Sequence, residues 1–281
     1  MKKTIYLIAA IYMIASISHA SPLLWRSAKT IPGGKPIFMV GLSYSTTDKR
    51  YDWDEEEWTD ISEEGQTDVI GSHFMLGYAP IDKWEAMVHI PIMYKSRDTL
   101  STLGWQDIWV KTRYNFIGGK KKPYLTGVAA VRIPVSSDDV DILLDDQTLD
   151  FALGALFMHT VHPVVLHLKA GYWYNTKKDV TEDIQHDVGD EIEGILKVDY
   201  VFNNRVKAFL NLTWVETFKT KEDGNEIDDT EKRRFTVSPG IVINPIKGLS
   251  VRPKFIYPVE AINKGGNDFS WKIGLDTWYV P

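Results

Sequence analysis

The chain has 281 residues, 38 of them acidic and 32 basic, with a formal net charge of −6 and no cysteine. The acidic balance argues against general nucleic-acid binding, which needs a basic surface. The lack of cysteine excludes disulfides, thiolate metal sites and a lipid-modified N-terminal cysteine. The length is enough for one large domain or two small ones.

The first twenty residues have the pattern of a secretory signal peptide. Lys2 and Lys3 precede an apolar run from Ile5 to Ile17, and Ser18-His19-Ala20 supplies the small residues that a signal peptidase recognises. The alternative is an N-terminal membrane anchor, but the run is shorter than the roughly 20 residues that cross a bilayer. We therefore predict a signal peptide over residues 1–20, one domain over residues 21–281, and export from the cytoplasm.

After a short segment, Ser21 to Lys35, apolar and polar residues alternate in about twelve segments. A period of two is the signature of a β-strand with one apolar and one polar face. In the segment from Gly104 to Gly119 one face carries Ile108, Val110, Thr112, Tyr114 and Phe116, and the other carries Asp107, Trp109, Lys111, Arg113 and Asn115. The segments cover approximately residues 36–47, 67–79, 83–96, 104–117, 122–135, 147–160, 163–176, 190–202, 205–219, 231–244, 248–261 and 267–280.

The connections alternate in length along the chain. Those after even-numbered segments are tight, such as Asn203-Asn204, whereas most of those after odd-numbered segments are long and polar. The acidic connections contain Asp54-Glu55-Glu56-Glu57, Asp138-Asp139, Asp145-Asp146, Glu182 to Asp187 and Glu222 to Asp229. No later apolar run is long enough for a transmembrane helix, and a closed barrel is the other structure that satisfies its own backbone in lipid. The pattern predicts an all-β fold: a single transmembrane antiparallel β-barrel of about 12 strands, with short periplasmic turns and long acidic extracellular loops.

Aromatic residues on the apolar faces sort into two belts, as membrane–water interfaces favour. The belt near the long loops contains Tyr44, Tyr94, Tyr174, Trp214, Tyr257 and Phe269, and the belt near the short turns contains Tyr78, Trp84, Tyr114, Phe116, Tyr200, Phe202 and Tyr279. A soluble secreted β-sandwich also shows alternation, but it predicts neither the two belts nor the unequal connections.

One stretch carries a family resemblance. Gly104, Asp107, Arg113, Tyr114 and Phe116 fit a strand pattern of glycine, aspartate, basic residue and aromatics. Similar stretches are Pro123 to Pro134, Asp150 to Tyr174 and Thr30 to Lys35. On these residues the chain resembles outer-membrane transporter-like barrels named for the meta-pathway of phenol degradation. The resemblance covers most of the chain after residue 20 and implies the barrel architecture. The family name implies a role in aromatic uptake by genomic association alone.

The polar faces place many charged residues in the predicted lumen, and the basic ones outnumber the acidic ones. They include Glu85, His89, His167, Glu193, Lys197, Asp199, Lys207, Arg234, Arg252, Lys254, Lys272 and Asp276. We expect the constriction to be formed by Lys111, Arg113, Arg132 and Lys169, with Asp107 and Asp150 as neighbouring acids. A basic constriction favours anions or carboxylates. The alternative is an ion-pair network that only fills the lumen.

The chain shows little sign of an enzyme or a metal site. A barrel phospholipase needs His and Ser two residues apart on one face, and this spacing is found at His19 and Ser21, across the predicted cleavage site. Ser72 and His73 are adjacent, so they point to opposite faces. His159 and His162 lack an evident third ligand. We therefore predict no enzymatic activity, no metal and no cofactor.

These observations predict an outer-membrane channel or transporter for small solutes, with anionic or aromatic compounds as candidates, acting by passive or facilitated diffusion. The expected partners are outer-membrane lipid, lipopolysaccharide, the solute and the barrel-assembly machinery, without nucleic acid. Two alternatives stay open: a structural or adhesive outer-membrane barrel that transports nothing, and a soluble secreted β-sandwich that binds a ligand.

Overall fold

A computed structural model describes Leu24 and residues 27–119, 122–135, 148–181, 184–187, 189–222, 224–265, 267–268 and 271–281. The predicted signal peptide, the acidic pairs Asp138-Asp139 and Asp145-Asp146, and Phe269 lie outside the described residues. Among the described residues, no helix is long and apolar enough to cross a membrane.

Twelve long antiparallel strands make up the main sheet in the described part of the chain. They are β1 (Lys35–Thr47), β2 (Thr67–Ile81), β3 (Trp84–Arg97), β4 (Ile108–Gly119), β5 (Lys122–Ile133), β6 (Asp150–Val161), β7 (Val164–Tyr174), β8 (Glu191–Val201), β9 (Val206–Thr217), β10 (Lys232–Ile243), β11 (Leu249–Pro258) and β12 (Trp271–Tyr279). Each strand pairs with its neighbours in sequence, and β1 also pairs with β12, from Phe38 opposite Tyr279 to Thr46 opposite Trp271. The sheet is therefore a closed twelve-stranded barrel, which confirms the predicted fold class and strand number.

The fourth segment differs from its predicted bounds. Residues 104 and 105 belong to a separate short strand, Leu100–Trp105, which pairs with the end of β3, and β4 begins only at Ile108. At the junction between the two strands the Gln106 N–H donates to the Pro91 carbonyl at 3.1 Å, and the fully buried side chain of Asp107 accepts a hydrogen bond from the Val135 backbone N–H at 3.2 Å.

The long connections form structure of their own above the barrel. Lys49–Asp52, Glu57–Asp60 and Asn267–Asp268 make a three-stranded sheet, and a 3₁₀ turn covers Glu63–Gly65. Lys178–Thr181, Ile184–Asp187, Lys221–Glu222 and Asn225–Glu226 make a four-stranded sheet. The loops thus bring together residues that are far apart in sequence.

The strand faces divide as the alternation predicts. Along β4, Val110, Tyr114 and Phe116 are exposed, whereas Lys111 and Arg113 are buried at 1% and 2% exposure. A water-soluble sheet with one buried face would show the reverse. Exposed apolar residues outside and buried charges inside are the arrangement of a barrel whose outer surface contacts lipid. Both belts keep exposed aromatic rings, including Tyr94, Tyr174 and Tyr257 at the loop end and Tyr78, Trp84, Tyr200, Phe202 and Tyr279 at the turn end.

Candidate functional site

The barrel lumen is the candidate site because charged side chains line its inner wall. Those less than a tenth exposed are Glu85, Asp107, Lys111, Arg113, Asp150, Lys169, Glu193, Asp199, Arg252, Lys254, Lys272 and Asp276. Period-two alternation places them there, since every second residue of each strand faces inward. Buried charges are costly unless they are paired or hydrogen-bonded, so their contacts define what the lumen can do.

The segment before β1 lies inside the barrel rather than beside it. We name the described residues from Leu24 to Ile31 the lumen segment. At the turn end, the Thr30 hydroxyl donates to the Asp82 carbonyl at 2.6 Å, and the Ile31 N–H donates to the buried carboxylate of Glu85 at 2.8 Å. The chain therefore passes into the lumen from the side of the short turns.

Charged side chains of the wall bind the backbone carbonyls of the lumen segment. Arg113 donates to the carbonyl of Ser27 and pairs with Glu85 at 2.6 Å. Lys169 Nζ donates to the carbonyl of Leu24 at 2.5 Å. Two of the four predicted constriction cations thus contact the protein's own chain across the lumen.

Further contacts fix the same segment through neutral groups. Asn115 Nδ2 donates to the Ala28 carbonyl at 3.3 Å, and Thr126 donates to the same oxygen. The side chain of Leu24 is fully buried in a cluster that includes Val128 and Leu156. Apolar packing and directional hydrogen bonds together hold the segment in one place.

The other two predicted constriction cations meet at one aromatic ring. Lys111 Nζ lies 5.7 Å and Arg132 Cζ 5.9 Å from the ring centre of Trp109. Trp109 in turn packs edge-to-face on Trp173 at 4.8 Å, and Arg132 lies 6.0 Å from that second ring. Arg132 also donates to the buried carboxylate of Asp150 at 2.5 Å. Cations above indole rings interact favourably with the ring quadrupole.

A second charged group lies across β11 and β12. The buried carboxylate of Asp276 accepts hydrogen bonds from Arg252 Nε at 2.9 Å and from Lys254 Nζ at 3.0 Å, and His73 Nε2 lies 3.8 Å away. A similar group surrounds Asp199, with Lys197 Nζ at 2.8 Å and His167 at 3.2 Å. Opposite charges thus compensate one another over much of the inner wall.

The lumen also contains a row of aromatic rings that contact one another from β2 to β7. The edge-to-face contacts run from His73 to His89 at 5.1 Å, from His89 to Trp109 at 6.1 Å, and then to Trp173. Sequence reasoning placed Trp109 on a polar face but gave neither it nor Trp173 a role. Their inward positions at charged strand faces were the available signal. The lumen segment had no such signal, because nothing in its sequence alternates.

Five of the six predicted site residues therefore fall into two groups. Arg113 and Lys169 hold the lumen segment, whereas Lys111, Arg132 and Asp150 surround the Trp109 and Trp173 rings. The sixth residue, Asp107, binds the backbone of Val135 after β5.

Comparison with solved structures shows the same fold in outer-membrane proteins. An outer membrane channel from Pseudomonas putida F1 superimposes with a TM-score of 0.78 at 14% identity, covering 94% of this chain and 100% of that one. The NanC porin gives 0.53 at 8% identity over 86% and 98% of the two chains. The translocator domain of the autotransporter NalP from Neisseria meningitidis gives 0.51 at 11% identity over 88% and 89%.

Sequence comparison assigns the family. No functionally curated protein matches the sequence. A family model described as "Putative MetA-pathway of phenol degradation" matches residues 47–276, which includes ten of the twelve barrel strands completely, part of β12 and the last residue of β1. The match confirms the resemblance seen in the strand patterns, and the chain belongs to this family.

Proposed function

We propose that this protein is an outer-membrane channel through which small solutes diffuse, with anionic and aromatic compounds as preferred solutes and without enzymatic activity. The observation that carries the proposal is the inverted barrel: a closed wall that exposes Val110, Tyr114 and Phe116 and buries Lys111 and Arg113. Such a wall is suited to lipid outside and to polar contents inside. The similar fold of the Pseudomonas putida channel agrees with it.

The solute preference follows from the inner wall. Trp109 and Trp173 offer aromatic surface, and Lys111 and Arg132 beside them offer positive charge. A small solute can contact the indole rings through an aromatic ring of its own, the cations through an anionic group, or both if it carries the two. The lumen of a twelve-stranded barrel is intermediate in width between that of a filled eight-stranded barrel and that of a wide porin, so only small solutes fit.

The location and partners are part of the same proposal. Residues 1–20 direct export, and the barrel-assembly machinery inserts the domain into the outer membrane. The aromatic belts contact lipid at both interfaces. The acidic outer loops contact lipopolysaccharide, with divalent cations bridging the carboxylates to its phosphates.

The lumen segment favours a second candidate function, that of a closed barrel with a structural or adhesive role. Ile31, Ser27 and Leu24 all bind the wall, so the segment narrows the lumen. Under the channel proposal, solutes pass beside the segment or after it moves. Under the alternative, the segment closes the lumen permanently.

Planar-bilayer recording of the refolded protein in a salt gradient distinguishes the two. The channel proposal predicts discrete conductance steps with anion preference. The variant Lys111→Gln/Lys169→Gln removes two positive charges and is expected to shift the reversal potential toward cations. The matched control Arg97→Gln/Lys247→Gln removes two exposed cations outside the lumen contacts, so it changes the net charge equally, and it is expected to keep the wild-type selectivity. Correctly inserted protein without any conductance would refute the proposal.

A further inference from the structure

A cleft at the outer rim of the barrel lies apart from the lumen contacts described above. We name it the rim cleft; it has a volume of about 300 Å³ and is lined by Arg50, Tyr51, Trp53, Thr220, Asp229, Thr230 and Lys232. These residues come from the first long loop, from the loop after β9 and from the start of β10. Its size is at the lower end of small-molecule sites, which span roughly 300–1,000 Å³. The cleft therefore has room for a molecule with one ring.

One wall of the rim cleft is aromatic and held in place on several sides. The Tyr51 ring packs edge-to-face on Trp53 at 5.1 Å and on Trp58 at 5.6 Å. Lys264 Nζ lies 4.6 Å from the centre of the Trp53 ring. Trp58 Nε1 donates to the Asn263 carbonyl at 3.3 Å. These contacts fix the ring positions before any ligand binds, which lowers the ordering cost of binding.

The opposite wall is a folded turn of the loop after β9. The Thr220 N–H donates to the Thr230 hydroxyl at 2.9 Å, and the Ile227 N–H donates to the Thr220 carbonyl at 2.9 Å. Lys219 and Asp228 pair across the same turn at 2.5 Å. Asp229 takes a left-handed backbone conformation, with φ of 62°. The second wall is thus preformed as well.

The charge of the rim cleft differs from that of the loops around it. The first loop contains the run Asp54-Glu55-Glu56-Glu57, yet the cleft lining has two cations, Arg50 and Lys232, and one acid, Asp229. An aromatic wall beside a net single positive charge matches a monoanion that has an apolar face. Guanidinium and ammonium groups bind carboxylates through charge-assisted hydrogen bonds.

We propose that the rim cleft is an external binding site for single-ring carboxylates, with the ring against Tyr51 and Trp53 and the carboxylate between Arg50 and Lys232. The site collects these anions at the mouth of the barrel, where the acidic loops otherwise repel them. This collecting role rests on the channel function proposed above, whereas the binding itself does not.

Isothermal titration of benzoate into the full-length refolded protein in detergent tests the site. The variant Arg50→Gln/Lys232→Gln removes the two cations and is expected to raise the Kd for benzoate by about tenfold or more. The control Arg97→Gln/Lys247→Gln removes two exposed cations elsewhere, so it changes the net charge equally and is expected to keep the wild-type Kd. Benzyl alcohol, which has the ring without the charge, is expected to bind the wild type about tenfold more weakly.

Three results would overturn the inference: absence of benzoate binding to the wild type, an unchanged Kd in Arg50→Gln/Lys232→Gln, or equal affinity for benzyl alcohol. The second result would place benzoate elsewhere, such as in the lumen. Bilayer conductance of the same cleft variant is expected to persist, since its lumen is intact. A wild-type protein that shows no conductance but binds benzoate through Arg50 and Lys232 would refute the channel function and support the binding site.

Discussion

The lumen segment offers the sharpest mutational test, because the side chain of Leu24 helps to hold it through packing and makes no hydrogen bond that the substitution would also remove. Leu24 has no exposed surface and packs in a cluster with Val128 and Leu156. Leu24→Ala removes this packing but keeps the carbonyl that Lys169 binds. Leucine-to-alanine changes at rigid buried sites cost about 2–5 kcal/mol. We take the lower value, since the segment is anchored at its other end and can adjust. A cost of about 2 kcal/mol increases the displaced population about 30-fold.

Single-channel recording at fixed voltage measures this population as the fraction of time in the higher-conductance state. Leu24→Ala is expected to increase that fraction by about 30-fold, provided that the fraction in the variant is still well below one. The control is Leu153→Ala in β6, because Leu153 is 69% exposed on the outer face. Equal open fractions in wild type and Leu24→Ala, with both proteins folded, would show that the segment does not limit conduction.

Three other changes test the wall, the belts and the loops. Arg132→Gln leaves the buried carboxylate of Asp150 without its arginine, and we expect the free energy of unfolding in detergent to fall by about 3–5 kcal/mol; a smaller loss than in Asp150→Asn/Arg132→Gln would contradict this reasoning. Phe116→Ser removes an exposed ring from the belt near the short turns. We expect it to slow insertion into liposomes, which the heat-modifiable gel shift measures. Insertion at the wild-type rate would argue against a lipid contact at Phe116. The hydrogen bond from Lys49 to Glu260 raises the pKa of Lys49 above its ordinary value of 10.5. The stabilisation by this pair is therefore complete below pH 10.5 and is lost as the pH rises through the higher folded pKa, so proteolysis of the first loop should accelerate more steeply there in the wild type than in Lys49→Gln.

The barrel itself could be predicted from the sequence because its signal is local and repeated. Each strand alternates on its own, and the tight turns after even-numbered strands, such as the one after β8, follow the chain directly. Lys111 and Arg113 could be assigned to the lumen from this alternation alone. The predicted strand ends mostly agree with the structure to within a few residues.

Contacts that no repeat encodes could not be predicted in the same way. Leu24 binds Lys169 from 145 positions away, and the segment between them gives no periodic sign of it. The rim cleft likewise unites Trp53 with Thr220 through loop packing. The role of Arg113 as an anchor for Ser27, rather than as a group that only faces solute, also depends on this unseen segment.

Liposome swelling measures whether the barrel conducts small solutes. Liposomes that contain the refolded protein, with insertion checked by the heat-modifiable gel shift, are transferred to isosmotic solutions of small carboxylates and sugars of increasing size. We expect swelling above that of protein-free liposomes, fastest for the smallest carboxylates and faster still with Leu24→Ala. If neither the wild type nor Leu24→Ala, both fully inserted, gave swelling with any solute, the barrel would not be a channel for small solutes.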